Sequence, residues 1–381
     1  MRFVMNSFGS HQLRKTPKVR AFYLISLTSF FVLTFFIGLL IFQLFYYQSY
    51  ETWINIIIVS ISYGTSSALI IWLALIFFHW YKSSHDRVVF LYFVSMSLIA
   101  FNLILTALFV DFKITEAQYR VGEFVGGGGD MSGGKNLFLG NLYGISSLIS
   151  FFSIWMTTAI LMRSYREKLI GSVKYWIILV LPMVYFLMTY FPQYFLYNML
   201  NSYFQNDPVT VSILVSAFLS LSKPIEGLIF AVAFWNMSRI VGYERKMKLS
   251  MVIAGWGIFF IFSANQANTQ IIAHNPPFGI TTLTIMNMAS FLIVLGIFNT
   301  ASLVSANNSL RTSLHRHAVK LLKPIGRAEM EKEIQKTVKR ISEHKDIAEN
   351  SSEQTFEFDE NELEKYLKQV IKEIKKESAS K

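Results

Sequence analysis

Eight stretches of the chain are almost continuously apolar over about 20 residues or more, which is the length that crosses a hydrocarbon layer as a helix. They cover residues 21–46, 53–80, 88–110, 136–162, 175–199, 210–236, 250–273 and 281–304. Inside lipid each backbone N–H and C=O group must be satisfied within its own segment, so apolar runs of this length form helices and not strands. The sequence therefore predicts an all-α fold, a polytopic transmembrane helical bundle of eight spans embedded in a lipid bilayer.

The overall composition supports a membrane protein and divides the chain into three parts. Of its residues, 53% are hydrophobic and 15% are charged, which is too apolar for a protein whose surface water must solvate. The charged residues concentrate at the two ends. We expect a basic cytoplasmic N-terminus at 1–20, a transmembrane domain at 21–305, and a cytoplasmic helical tail at 306–381 with a linker near 348–358.

The distribution of Lys and Arg predicts the orientation of the spans. These residues cluster in alternate connections, whereas the other connections hold only Lys113, Arg120 and Lys135, all within the long loop 111–135. Cytoplasmic loops carry an excess of positive charge, so both termini are predicted to be cytoplasmic, as an even number of spans requires. The net charge of +11 is explained by this bias, and we predict no nucleic-acid partner.

The sixth predicted span contains two charged residues and a proline, in the sequence LSLSKPIEGLIF (219–230). Lys223 lies near the middle of the span, and Glu226 follows it on a neighbouring side of the helix. A charge at the centre of a bilayer costs about 2.5–3.5 kcal/mol, so such residues face protein or a water-filled cavity. Pro224 breaks the helix and frees the carbonyl of Ser220, to which Lys223 is expected to donate.

Polar residues on other spans predict a hydrated pocket that opens to the outside, with the two charged residues at its floor. The predicted pocket residues are Lys223, Glu226, Ser220, Asn265, Gln266, Asn268, Gln270 and Asn287, with Pro224 as the helix break. A structural alternative stays open, in which the same groups hold helices together through hydrogen bonds worth about 0.6 kcal/mol each.

Sequence motifs for catalysis or metal binding are not found. The chain has no HExxH, Walker A or GxSxG sequence and no suitably spaced group of acidic residues, and these motifs carry the common hydrolytic and phosphate chemistry. The chain also has no cysteine, which excludes disulfides and thiolate metal sites. We therefore expect no enzymatic activity, no metal and no cofactor.

The end of the predicted tail forms an amphipathic helix over residues 359–378, with apolar residues such as Leu363, Leu367 and Ile374 on one stripe. This stripe needs a partner surface, because an isolated amphipathic helix leaves its apolar face in water. The preceding part of the tail is one candidate. A cytoplasmic protein partner or self-association through 359–378 is the other, and the sequence does not decide between them.

Three stretches resemble a family of eight-span archaeal membrane proteins of unknown function. They read LSKPIEG, FSANQANTQIIAHNPPFGI and NNSLRTSLHRHAVK, and the resemblance covers mainly residues 215–340. It implies the architecture of the chain but not its mechanism.

Three functions are compatible with these patterns. The sequence favours the first, a sensor or signal-relay protein, in which the outer pocket perceives a ligand and the last span passes the signal to the tail that continues from it. The second is a secondary transporter that uses Lys223 and Glu226; against it, the first four spans contain no second Lys-Pro-x-Glu, and transporters often contain internal repeats. The third is an accessory subunit of a membrane complex.

Overall fold

The computed structural model describes most of the predicted membrane domain. The described residues are 17–47, 51–118, 134–163, 172–188, 198–200, 210–211, 214–215, 218, 221–240, 245–267, 281–306 and 325. They all belong to the first of the two compact parts into which the chain divides, residues 1–330. The predicted linker near 348–358 and the predicted tail helix at 359–378 lie outside the described residues, as does most of the basic N-terminus.

The described part of the chain is all-α, as predicted. Its helices are α1 (Pro17–Tyr47), α2 (Thr52–Ser84), α3 (Arg87–Gln118), α4 (Gly134–Arg163), α5 (Ser172–Met188), α6 (Ser222–Ile240), α7 (Arg245–Ala267) and α8 (Thr281–Ala306). No strand occurs among these residues. The protein is therefore an integral membrane protein built as a bundle of helices.

Six helices are long and apolar enough to cross a membrane, and they confirm the first four and the last two predicted spans. These segments are Leu24–Tyr47, Thr52–Ser84, Arg87–Thr115, Phe138–Arg163, Arg245–Asn265 and Thr282–Val304. The apolar part of α5, Tyr175–Met188, is shorter than a span, and α6 begins only at Ser222. The total of eight spans and the orientation of the termini therefore stay predictions.

Some helices extend beyond the apolar runs that predicted them. Helix α7 begins at Arg245 and runs through Lys246 and Lys248, whereas the apolar run begins at 250. Helix α3 continues to Gln118, beyond the predicted end at 110. Lys, Arg and Gln are good helix formers, so a helix can continue into the polar region outside the hydrocarbon. Apolarity thus marks the lipid-embedded part of each helix and not its ends.

The helices pack in a closed order. The closed ring consists of six helices, in the order α2, α3, α4, α6, α7 and α8. Each of them contacts the next, and α8 also contacts α2. Helix α1 packs against α2 and α8, and α5 packs against α4 and α6. Phe31 and Phe35 of α1 and Leu181 of α5 are about two-thirds exposed, which suits helices that face lipid on one side.

Glycines bring α6, α7 and α8 into backbone contact. A Cβ atom added to Gly296 of α8 would lie 2.6 Å from the carbonyl oxygen of Ser250 in α7. One added to Gly227 of α6 would lie 2.8 Å from Cβ of Phe262 in α7. Small residues permit such close approach and improve van der Waals packing in lipid. By contrast, a Cβ on Gly38 of α1 would meet no atom within 4 Å.

Aromatic rings hold α2 against α3. Phe77 stacks on Tyr92 with ring centroids 5.4 Å apart, and Tyr81 lies 4.9 Å from Phe90. His85 makes the tight connection between these helices in the left-handed conformation, with φ 49°, and its N–H donates to the carbonyl of Tyr81 at 2.8 Å. The bond closes the end of α2 in the way that a left-handed residue commonly ends a helix.

Candidate intramembrane polar site

The helix is interrupted by a turn at Leu221, immediately before α6 begins at Ser222. The N–H of Leu221 donates to the carbonyl of Phe218 at 3.3 Å in a turn, and the N–H of Ile225 donates to Leu221 at 3.1 Å. Pro224 has no N–H, so a regular helix cannot pass through this point with all its carbonyls satisfied. The hydroxyl of Tyr185 on α5 donates to the carbonyl of Phe218. A side chain from a neighbouring helix thus supplies a donor at the break.

Lys223 is buried and fixed between α6 and α4. Its side chain is 6% exposed, and Nζ donates to the hydroxyl of Tyr143 at 2.6 Å. The same Nζ lies 4.9 Å from the centre of the Tyr143 ring, within the range of a cation–π interaction. Tyr143 in turn stacks on Phe109 of α3, with ring centroids 5.1 Å apart. Lys223 therefore contacts α4, whereas its predicted contact with the carbonyl of Ser220 lies outside the described residues.

Glu226 is the most unusual residue of the site. It is 1% exposed, and within the described part of the chain its Oε1 atom has no hydrogen-bond partner. A buried acceptor without a partner costs about 1–3 kcal/mol, and more if it is charged. The ammonium of Lys223 donates its described hydrogen bond to Tyr143 and not to Glu226. Nothing described here satisfies Oε1, and buried polar groups of this kind are typical of functional positions.

Asn265 and Asn287 connect the second half of the chain to the first. The hydroxyl of Tyr63 on α2 donates to Oδ1 of Asn265 at 3.0 Å. Nδ2 of Asn287 donates to Oγ of Ser29 on α1 at 2.7 Å. The hydroxyl of Ser29 lies 3.3 Å from Oγ1 of Thr65 and donates to it. The structure therefore places these two predicted residues in helix–helix contacts with α1 and α2, whereas Lys223 contacts α4.

Four predicted positions cannot be placed. Ser220, Asn268 and Gln270 lie outside the described residues, and for Gln266 only the backbone is described. Their assignment to a pocket stays a prediction, and so does the opening of that pocket to the outside.

Sequence reasoning did not identify the partners or the burial of several polar groups. Tyr143 was not predicted as the partner of Lys223, although a hydroxyl within an apolar run is the signal that could have found it. Asn55 of α2 is fully buried, and both atoms of its amide lack partners among the described residues. Ser66 of α2 has a buried Oγ atom in the same situation. The half-buried carboxylate of Asp111 on α3 accepts a hydrogen bond from Ser60 at 3.1 Å.

The described residues contain no group of three His, Asp or Glu side chains that could hold a metal ion. Comparisons of the chain with protein-family models, with curated proteins and with solved structures find no match in any of the three. The resemblance of residues 215–340 to an archaeal family stays a prediction. These findings support a multi-pass helical membrane protein with a buried lysine and a buried glutamate at a helix break.

Proposed function

We propose that this protein is a secondary transporter that moves a small polar or charged solute across the membrane, and that Lys223 and Glu226 contact the solute. The observation that carries the proposal is the Oε1 atom of Glu226, which is buried without a described partner beside a lysine. The proposal assigns binding and movement to these residues, and not catalysis.

The geometry of Lys223 supports solute binding. An ammonium has three N–H donors, and one described hydrogen bond, to Tyr143, holds the group in place. The other donors can serve an anionic or polar atom of a solute. A purely structural ion pair would instead join Lys223 directly to Glu226, since breaking up such a pair in a buried site is costly.

The break in α6 supports transport in particular. Transporter sites typically lie at discontinuous helices near the middle of the membrane, where the ends of half-helices offer free backbone groups. Helix α6 starts anew at Ser222, immediately before Lys223 and Pro224. A proline within a helix also makes it easier for the parts before and after it to move separately, because it removes a backbone hydrogen bond.

Currents through protein-containing liposomes on a solid-supported membrane test the proposal. Each preparation receives succinate, phosphate, L-lysine and Na⁺ in turn. We expect a current with at least one of these solutes, and we expect Lys223→Met and Glu226→Gln each to abolish it. Asp111→Asn is the matched control, because it neutralises a second carboxylate that likewise has one oxygen without a described partner, but that belongs to α3 and is held by Ser60 instead of lying beside Lys223 in the sequence. A current that survives both site variants refutes the assignment, and silence with all four solutes refutes transport of these classes.

A sensor or signal-relay function is the second candidate, and a different observation favours it. Helix α8 is the most buried of the six candidate spans, and it contacts α1, α2 and α7. A shift of α8 on binding would therefore pass to Ala306, after which the chain continues into the predicted tail. Affinity purification of the full chain from its native membrane, with and without residues 359–378, tests this function. A partner that depends on these residues supports signal relay, and a stable complex that does not depend on them supports an accessory subunit.

A further inference from the structure

The contacts between helices repeat after every fourth helix. In the first half α2 packs on α3 and α3 on α4; in the second half α6 packs on α7 and α7 on α8. The first helix of each half contacts its own second helix, as α1·α2 and α5·α6. It also contacts the last helix of the other half, as α1·α8 and α5·α4. Finally, the second helix of each half contacts the last helix of the other, as α2·α8 and α6·α4.

Two of the three connections within each half follow the same scheme. The first connection does not, because 48–51 join α1 to α2, whereas the much longer segment 189–221, which includes helical residues such as Val211, joins α5 to α6. Short segments, 85–86 and 241–244, join the second helix of each half to the third. Longer segments, 119–133 and 268–280, join the third helix to the fourth. Two halves with the same set of helix contacts are the pattern of a parallel internal repeat, as in several transporter folds.

We infer that Pro17–Arg163 and Ser172–Ala306 are two copies of one four-helix unit, and that the units move against each other to open a polar path between them. We call the contacts that α1–α4 make with α5–α8 the inter-unit boundary. The inference concerns the movement of the units and does not require that Lys223 or Glu226 bind a solute.

Within each unit, several pairs of helices are closely packed in the described structure. In the second unit, glycines place α6, α7 and α8 in backbone contact. In the first unit, aromatic rings join α2 to α3. Between α3 and α4, Ser95 lies 2.9 Å from Ser153, and Asn102 donates to Ser146 at 3.1 Å. These contacts favour units that move as bodies, since close-packed interfaces deform little.

The inter-unit boundary holds some of the polar groups that the described structure leaves unsatisfied. Others lie on α2, α3 and α8, at Asn55, Asp111 and Asn299. Glu226 Oε1 and Asn287 Oδ1 both lack described partners. Glu226 lies on α6 between Lys223, which contacts α4, and Phe230, whose ring lies 6.1 Å from Phe151 of α4. Ser66 has an unpaired Oγ in the described part and shares a face of α2 with Ser62, which donates to the carbonyl of Leu283 in α8 at 2.6 Å.

The hydrogen bonds of the predicted site also cross this boundary. Lys223, Asn265 and Asn287 all belong to the second unit. Their described partners, Tyr143, Tyr63 and Ser29, all belong to the first. Some polar groups at this boundary are hydrogen-bonded and others are unsatisfied. Water, a solute or a second arrangement of the units would supply partners for the unsatisfied groups.

Reversible cross-linking tests whether the units move. The chain has no cysteine, so introduced thiols are the only ones. The pair Ser29→Cys and Asn287→Cys allows a cross-link between the units, because Oγ of Ser29 and Nδ2 of Asn287 are 2.7 Å apart. The matched control, Ser95→Cys with Ser153→Cys, bridges two helices of one unit, where the side chains are 2.9 Å apart. Each pair is joined with a short bifunctional methanethiosulfonate that reduction removes.

Labelling of a buried thiol reports the movement without any solute. Ser222→Cys, at a residue 2% exposed beside Lys223, is treated with a membrane-impermeant maleimide from each side of liposomes. We expect labelling to fall about tenfold when the inter-unit pair is cross-linked, to stay unchanged when the control pair is cross-linked, and to recover after reduction. Ser147→Cys on α4, at a residue 5% exposed, is the second reporter if the first does not fold.

Three results would overturn the inference. Labelling that neither cross-link changes shows that the units do not move. Labelling that both cross-links lower equally shows that any rigidification suffices. Thiols at both positions that never react from either side show that no path opens. Since no solute is used, these results are independent of the currents that test the proposed function.

Discussion

Substitution of Gly296 by alanine should destabilise the bundle, and the distances at this position allow the effect to be estimated. The added Cβ atom would lie 2.6 Å from the carbonyl oxygen of Ser250, 2.7 Å from the amide nitrogen of Ala254 and 2.8 Å from its Cβ. Ordinary van der Waals contacts of a Cβ begin near 3.4 Å. None of the three atoms belongs to a flexible side chain, so relief requires that α8 moves away from α7 by roughly 0.5–1 Å, a gap that forfeits a quarter to a half of the dispersion energy across it.

The expected cost is about 2–3 kcal/mol, the upper part of the range for overpacked cores. Gly38→Ala is the matched control, because its Cβ would meet no atom within 4 Å. Helices stay formed when a membrane bundle comes apart within the bilayer or detergent, so the better helix propensity of alanine contributes little to either variant, and the control should lie near zero.

Unfolding in mixed micelles with increasing dodecyl sulfate, followed by tryptophan fluorescence, measures both variants. The chain has seven tryptophans, which give a sufficient signal. Free energies of unfolding for Gly296→Ala and Gly38→Ala that agree within about 0.5 kcal/mol, the usual scatter of neutral substitutions, would refute backbone contact between α7 and α8.

The same titration checks three smaller effects. Tyr143→Phe removes the acceptor of Lys223 and should cost about 1–2 kcal/mol; addition of Lys223→Met should recover part of this loss, and purely additive effects would contradict the contact. Tyr185→Phe removes the donor to the carbonyl of Phe218 and should cost about 1 kcal/mol, whereas no loss would mean that another group serves this carbonyl. His85→Gly should stabilise by up to about 1 kcal/mol because the backbone there has φ 49°, and a loss would show that the imidazole contact with Tyr81 outweighs the strain.

Hydropathy was sufficient to predict most of the helices, because the length of an apolar run is a local property of the chain. The first four and the last two spans were found in this way, with errors mainly where charged residues such as Arg245 extend a helix beyond the lipid. The break before Ser222 was predicted in kind from Pro224. The residue that donates to the carbonyl at this break was not predicted, because Tyr185 comes from a different helix and a local sequence pattern does not identify tertiary contacts.

The repeat of the four-helix unit could not be found in the sequence. Lipid requires only that a helix be apolar, so two copies can keep the same contacts while their side chains diverge. The absence of a second Lys-Pro-x-Glu counted against a transporter, but a repeat that is kept in the helix contacts need not keep these residues. The contacts between helices preserve the relation that residue identities have lost.

The hydrogen bonds across the inter-unit boundary should set how often the units separate. Lys223, Asn265 and Asn287 each have one described bond to the first unit, and such bonds in membranes contribute about 0.6 kcal/mol each on average. Together the three bonds contribute about 2 kcal/mol to the closed arrangement, which corresponds to a roughly 30-fold difference in population between the closed and the open arrangement. An open state of this population falls within the range of about 0.1–10% that is typical of minor states.

The triple variant Tyr143→Phe, Tyr63→Phe and Ser29→Ala removes these three bonds from the first unit alone and leaves the residues of the second unit in place. We expect it to raise the rate at which the Ser222→Cys thiol is labelled by at least tenfold, because the closed arrangement loses stability that the open one never had. The matched control removes polar groups within the first unit, as Ser95→Ala with Ser153→Ala, and should leave the rate unchanged. An equal rise in both variants would mean that looser packing in general exposes the thiol, and the bonds across the boundary would then have no special part in closing it.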